Sequence, residues 1–204
     1  MKLVLIGAHL RRDDVEPLAA AIACGEVWLS GVEIADDQPL GDRDLLLRVA
    51  DIRARLLERA TFIAIRYGFA ATPDAAATTC AGHAERWRRL LEANRDNVEM
   101  TIKVAANDPK PRPRREDFAN GADYLRALHA NAAEVEPRFR EAVSAIGEHR
   151  WSHRDGRSSE CALLVPRVEV ESIRERGEQL KRDFPHIPFL LSGPWPLEVF
   201  ADHE

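Results

Sequence analysis

Cysteine is scarce in this chain of 204 residues: Cys24, Cys80 and Cys161 are the only three, and they lie far apart. An odd, scattered set excludes the disulfide framework that staples small secreted domains. Cys80 and His83 have the spacing of half a zinc site, but no second pair follows, so Cys80 reads as a small buried residue on a helix. No apolar run approaches the roughly 18 residues of a membrane span. The apolar start at residues 1–7 is too short for a signal peptide and lacks a cleavage site. The expectation is a cytoplasmic chain without a membrane partner.

Catalytic motifs are lacking too. There is no G-x-S-x-G elbow, no phosphate-cradling P-loop, no G-x-G-x-x-G and no H-E-x-x-H. Seven histidines are scattered; His149 and His153 could approach each other, with Asp155 as the one nearby acid, and they read as exposed or core-edge residues. The pairs Asp13-Asp14 and Asp36-Asp37 read as cap and turn residues, because paired carboxylates need a water-excluded cleft for acid–base work. These absences point away from an enzyme, a metal or a cofactor. The net charge of −5 gives no global pull toward nucleic acid. Of two local basic clusters, Arg86-Trp87-Arg88-Arg89 reads as the solvated face of a helix. The other, at 110–115, sits among prolines and reads as linker.

What is present is a pattern of alternating strands and helices. Residues 2–8 read as a strand buried on both faces. Asp13 and Asp14 can cap a short helix running through Ala23, with Gly25 just past its end. A second strand follows at 26–34, with a bulge or bend at Ser30-Gly31. From Asp42, the spacing of Leu45, Val49, Ile52 and Leu56 predicts a helix. A third strand at 61–65 ends in Arg66-Tyr67-Gly68. Thr72-Pro73 then opens a helix whose apolar stripe is Ala76, Cys80, Ala84, Trp87 and Leu91. Residues 97–105 supply a fourth strand.

The stretch ANDPKPRPRRED, residues 106–117, is dense in proline and basic residues and cannot be the interior of a regular element. It divides the chain into an N-terminal domain at 1–106, a linker at 107–117 and a C-terminal domain at 118–204. The second domain opens with a long apolar stripe: Tyr124, Leu128, Ala132, Val135, Phe139, Val143 and Ile146. Pro137 interrupts it in phase, which predicts a long kinked helix or two abutting ones. A hairpin pairing 151–153 with 161–165, a helix at 168–182 and a strand at 187–192 complete the α+β pattern. The strand runs into Gly193-Pro194-Trp195-Pro196, a rigid elbow that aims one large indole. Burial at a sheet end is the favoured reading of Trp195. The competing one joins it to Leu197 and Phe200 in an exposed docking patch.

Four motifs, in order, carry a resemblance: IRYGF (65–69), NVEMTIKV (97–104), GADYLRAL (121–128) and LLSGPWPLEVF (190–200). Together they resemble the GvpL/GvpF family of gas vesicle accessory proteins, over about residues 60–204. The resemblance implies two domains, the first a modified ferredoxin-like fold. It also implies a non-enzymatic role in assembling the small vesicle shell protein. The implied partners are the shell protein and other accessory proteins, with possible self-association, and the implied location is the cytoplasm at the vesicle. Candidate protein-binding residues are Arg66, Tyr67, Gly68, Trp195, Leu197 and Phe200. Two other classes compete. One is a regulatory small-molecule-binding module with a pocket lined by Tyr67, His83 and Trp87; the other is a nucleic-acid binder using 110–115.

Overall fold

A computed structural model describes residues 2–105, 114–130, 135–154 and 158–201. Contacts divide the chain into two compact units, Met1–Val98 together with Trp195–Glu204, and Glu99–Pro194. The division thus falls after Val98 rather than in the expected linker at 107–117, most of which lies outside the described residues. It also returns residues 195–204 to the first unit.

The first unit is built on an antiparallel sheet in the order β2-β3-β1-β4. Strand β1 (Lys2–His9) is buried along nearly its whole length, as its unbroken apolar run requires. It pairs with β3 (Val27–Ile34), and the register shifts where Leu5 faces Gly31 and Gly7 faces Ser30. The expected bulge is therefore real, but the extra residue is Ile6, on the partner strand.

The helix expected through Ala23 is absent. A single 3-10 turn spans Arg12–Asp14, and Ala20–Cys24 is strand β2, paired antiparallel with β3 from Ala20 opposite Gly31 to Cys24 opposite Val27. Pro17 removes an N–H in mid-segment, and pairing with β3 satisfies backbone groups that a broken helix would leave open. Helix α1 (Arg43–Arg59) follows its pattern: the Asp42 side chain accepts from the Leu45 N–H at 2.9 Å, and Leu45, Val49, Ile52 and Leu56 are buried.

Strands β4 (Ile63–Ala64) and β5 (Ala70–Ala71) both pair with β1. Helix α2 (Pro73–Cys80) is capped by Thr72, and a 3-10 turn at Ala81–His83 separates it from α3 (Ala84–Ala93). Ala76, Cys80, Ala84 and Leu91 are buried as the stripe predicts, while Trp87 is only half-buried.

The second sheet has the order β7-β8-β6-β9. Strand β6 (Asn97–Ala105) has the predicted bounds, and Val98, Met100, Ile102 and Val104 alternate into the core. Helices α4 (Gly121–Ala130) and α5 (Pro137–Ser144) stand where one long kinked helix was an alternative. Val135 and Glu136 are not helical, and Pro137 opens α5, where its missing N–H leaves no gap. Val135, Phe139 and Val143 are buried as expected; Ala132 and the Leu128 side chain lie outside the described residues.

Strands β7 (Glu148–Arg154) and β8 (Ser158–Pro166) form the predicted hairpin, with Trp151 opposite Cys161. Helix α6 (Val170–Asp183) leads to β9 (Phe189–Trp195), which continues through Gly193 and Pro194 instead of stopping at Ser192. Phe139 anchors this core with its ring centroid 5.3 Å from Phe184 and 5.2 Å from Phe189.

One buried polar group in the first unit carries a measurable consequence. His9 is fully buried, and its ring stacks on Phe62 at 4.9 Å. The Ser30 hydroxyl donates to the Gly7 carbonyl, so it accepts from the His9 Nε2–H at 2.9 Å. Nδ1 finds no partner among the described residues. Burial lowers the His9 pKa from its ordinary 6.5 to about 4, with the Asp14 carboxylate working the other way.

Two outcomes are expected. As pH falls from 6.5 to 4 the unfolded chain takes up a proton that the folded chain refuses, so stability falls through that window by up to about 3 kcal/mol. Thermal midpoints of His9→Phe should lose this part of the pH slope; an unaltered slope assigns acid unfolding to other groups. Separately, brief trypsin treatment cutting within 106–117 should leave the two fragments together on native gel filtration, because the C-terminal run belongs to the first unit. Elution as two separate species would contradict that placement.

Candidate interaction surface

The Arg66-Tyr67-Gly68 motif is a detour in the strand that flanks β1. Ala64 lies opposite Gly7, and Ala70 rejoins the same strand opposite Val4. Two backbone bonds pin the base of the excursion: the Ile65 N–H donates to the Ile6 carbonyl at 2.9 Å, and the Leu5 N–H to the Phe69 carbonyl at 3.0 Å. Between them the chain projects outward. Arg66 is exposed and forms no ion pair among the described residues. Tyr67 is held by its hydroxyl, which donates to the Leu40 carbonyl at 2.5 Å. Gly68 has φ +106, while a Cβ there would meet nothing within 4 Å. It is the backbone angle, not space, that calls for glycine.

The C-terminal motif reaches the same strand from the other side. Gly193 has φ +124, and a Cβ on it would lie 2.7 Å from the Met100 sulfur, so both angle and space demand glycine there. After the elbow the Leu197 N–H donates to the Phe62 carbonyl at 2.9 Å, and the Ala64 N–H to the Leu197 carbonyl at 2.8 Å. This parallel bridge between Ile63 and Leu197 extends the first sheet by one short segment. Further on, the Arg86 guanidinium donates to the Ala201 carbonyl.

Burial sorts the three apolar candidates. Leu197 is 1% exposed and Phe200 6%, so both belong to the core, whereas Trp195 is 47% exposed. The two sequence readings of this motif both fail as stated: the indole is not buried at a sheet end, and it does not share an exposed patch with Leu197 and Phe200. The elbow instead turns the indole outward and sends the following leucine inward. The structure thus brings Leu197 and the 66–68 excursion to one strand, two residues from each other along β4's continuation, and leaves Arg66 and Trp195 as the accessible members.

The other sequence candidates disperse. His83 stacks on Trp87 at 5.3 Å, while Tyr67 is tethered at Leu40, and no described cavity is lined by all three. Most of the 110–115 cluster lies outside the described residues; Arg114 pairs with Glu116 at 3.5 Å and Arg115 donates to the Phe118 carbonyl. The side chain of His153 and all of Asp155 also lie outside them. No group of three or more His, Cys, Asp or Glu among the described residues could hold a metal ion. No helix among them is long and apolar enough to cross a membrane.

Sequence reasoning missed a cleft of about 460 Å³ in the first unit, lined by Arg11, Arg59, Arg88 and Arg95 and by Asp14, Glu26, Glu92 and Asp96. Arg88, expected on a solvated face, lies 2.7 Å from Glu26 and 2.6 Å from Glu92. Arg11 lies 2.9 Å from Asp14. The (i, i+4) spacing of Arg88 and Glu92 was a visible signal for one pair; the partner on β3's entry turn left none.

The stability of the two neighbouring apolar residues should differ in kind. Leu197→Ala is expected to lose about 3 kcal/mol by opening a cavity beside β4, and Trp195→Ala less than about 1 kcal/mol. Equal losses in urea unfolding would mean that the indole is packed as tightly as the leucine.

Comparison with known proteins agrees with this architecture. The sequence matches the family described as gas vesicle synthesis protein GvpL/GvpF over residues 18–201. The fold is similar to the crystal structure of gas vesicle protein GvpF from Microcystis aeruginosa, with a TM-score of 0.70 at 13% identity, covering 99% of each chain. It is also similar to that of GvpF from Anabaena sp. PCC7120, with a TM-score of 0.64 at 12% identity, covering 100% of this chain and 97% of the other. No curated protein sequence matches the chain.

Proposed function

The chain belongs to the gas vesicle synthesis protein GvpL/GvpF family, and on that premise we propose that it is a non-enzymatic accessory protein assisting assembly or nucleation of the small vesicle shell protein. The observation that carries this reading is the family match across nearly the whole chain. Shell subunits bury their apolar faces only on polymerising, so before that they need a partner that covers those faces or aligns their strands. The proposed contacts are Arg66, Tyr67 and Gly68 on the β4 excursion, with the exposed indole of Trp195. A rigid loop pinned at both ends and an indole held by an inflexible elbow lose little conformational freedom on docking. Leu197 and Phe200 support this surface from within the core instead of touching the partner. The partners are the shell protein and the other accessory proteins, and the place of action is the cytoplasm at the growing vesicle.

Co-expression with the shell protein tests the proposal. Trp195→Ala and Arg66→Ala should each retain the thermal midpoint within a few degrees and yet reduce co-purification of shell protein at least tenfold. Undiminished co-purification in the double variant would overturn the assignment of this surface.

A further inference from the structure

The three thiols fall into two different situations. Cys161 is fully buried opposite Trp151 in the second unit, and burial pushes it up to about 12. Cys24 and Cys80 both lie in the first unit and end the two elements that meet there, β2 and α2. Two close approaches, one on either side of Cys80, bring the Cys24 end of β2 beside it. The Cys24 thiol is 3.5 Å from the carbonyl of Ala77, one turn before Cys80. A Cβ placed on the neighbouring Gly25 would stand 3.0 Å from the Ala84 Cβ, one turn after it. Ala77 and Cys80 lie one turn apart on α2, Ala84 opens α3 after the 3-10 turn, and Cys80 between them is buried. Burial raises both thiols, and Cys24 lies near enough to Cys80 to raise it further.

We infer that Cys24 and Cys80 form a reversible intramolecular disulfide when the chain meets a peroxide, tying the end of β2 to the end of α2. The chemistry balances. The sulfur of one deprotonated thiol attacks a peroxide oxygen, the O–O bond breaks, and the leaving hydroxide takes a proton to become water. The sulfenic acid so formed is then attacked by the second sulfur; the S–O bond breaks and a second water leaves. Both sulfurs are oxidised and the peroxide is reduced, with each thiol proton ending in water. Access is through the C-terminal end of α2, where Ala81, Gly82 and His83 are exposed in a 3-10 turn directly after Cys80. Cys24 is 2% and Cys80 6% exposed, so bulky thiol reagents are excluded while a small peroxide enters when that turn opens. The cross-link closes a long loop that contains α1, β4 and the 66–68 excursion, and so restrains the first unit's unfolded chain.

Purified full-length protein treated with hydrogen peroxide and mapped without reductant tests this. A linked peptide pair containing Cys24 and Cys80, short of two hydrogens and separated again by a thiol reductant, is the expected product. The oxidised protein should melt about 5 °C or more above the reduced protein. Cys161→Ser should retain both effects, and Cys24→Ser and Cys80→Ser should each abolish them. Should either of those two variants fail to fold, the wild-type peptide map alone decides the matter. The inference is overturned by a cross-link involving Cys161, by dimers joined through Cys24 or Cys80, by sulfinic acid without any cross-link, or by both thiols remaining free at full peroxide dose.

Discussion

Two backbone hydrogen bonds, from Leu197 to Phe62 and from Ala64 to Leu197, organise the first unit's edge. A short strand with one unpaired side would leave its N–H and C=O groups open to any passing chain. Here the C-terminal run covers that side of β4, and the pairing sets what happens on both flanks. Upstream of Leu197, the elbow leaves Trp195 exposed while the leucine is buried. Beyond Ala64, the chain is free to leave the sheet and return, which is where the Arg66-Tyr67-Gly68 excursion arises.

The excursion is rigid for reasons spread over several elements. Its base is bonded to β1 at Ile6 and Leu5, its tyrosine to Leu40 ahead of α1, and its glycine adopts an angle other residues resist. A surface of this kind recognises a partner by shape and a few fixed groups, with little ordering on contact. The charged cleft has the opposite character: Arg11 pairs with Asp14, and Arg88 on α3 pairs with Glu92 and with Glu26 on the β2–β3 turn. Exposed pairs of this type contribute little stability singly, so their effect is on geometry.

The first unit also holds three groups whose ionisation burial disfavours. Burial lowers the His9 pKa and raises those of Cys24 and Cys80. In each case the surroundings disfavour the charged form, because apolar neighbours replace water without replacing its hydrogen bonds.

The sequence alone determined whatever depends on neighbours a few residues apart. The stripe of α1 and its Asp42 cap, the Thr72-Pro73 helix start, the nine residues of β6 and the β7–β8 hairpin all follow from periods, caps and turn chemistry. The family was legible too, because its motifs are compact and rigid. Only the tertiary structure decided that 20–24 is a strand, since a short alanine-rich run has no period of its own and β3 supplied the partner. The same holds for Leu197, buried where it pairs beside β4, against the exposed Trp195. A pairing between residues more than a hundred positions apart leaves no local trace. The membership of the C-terminal run in the first unit was therefore invisible until the sheet had formed.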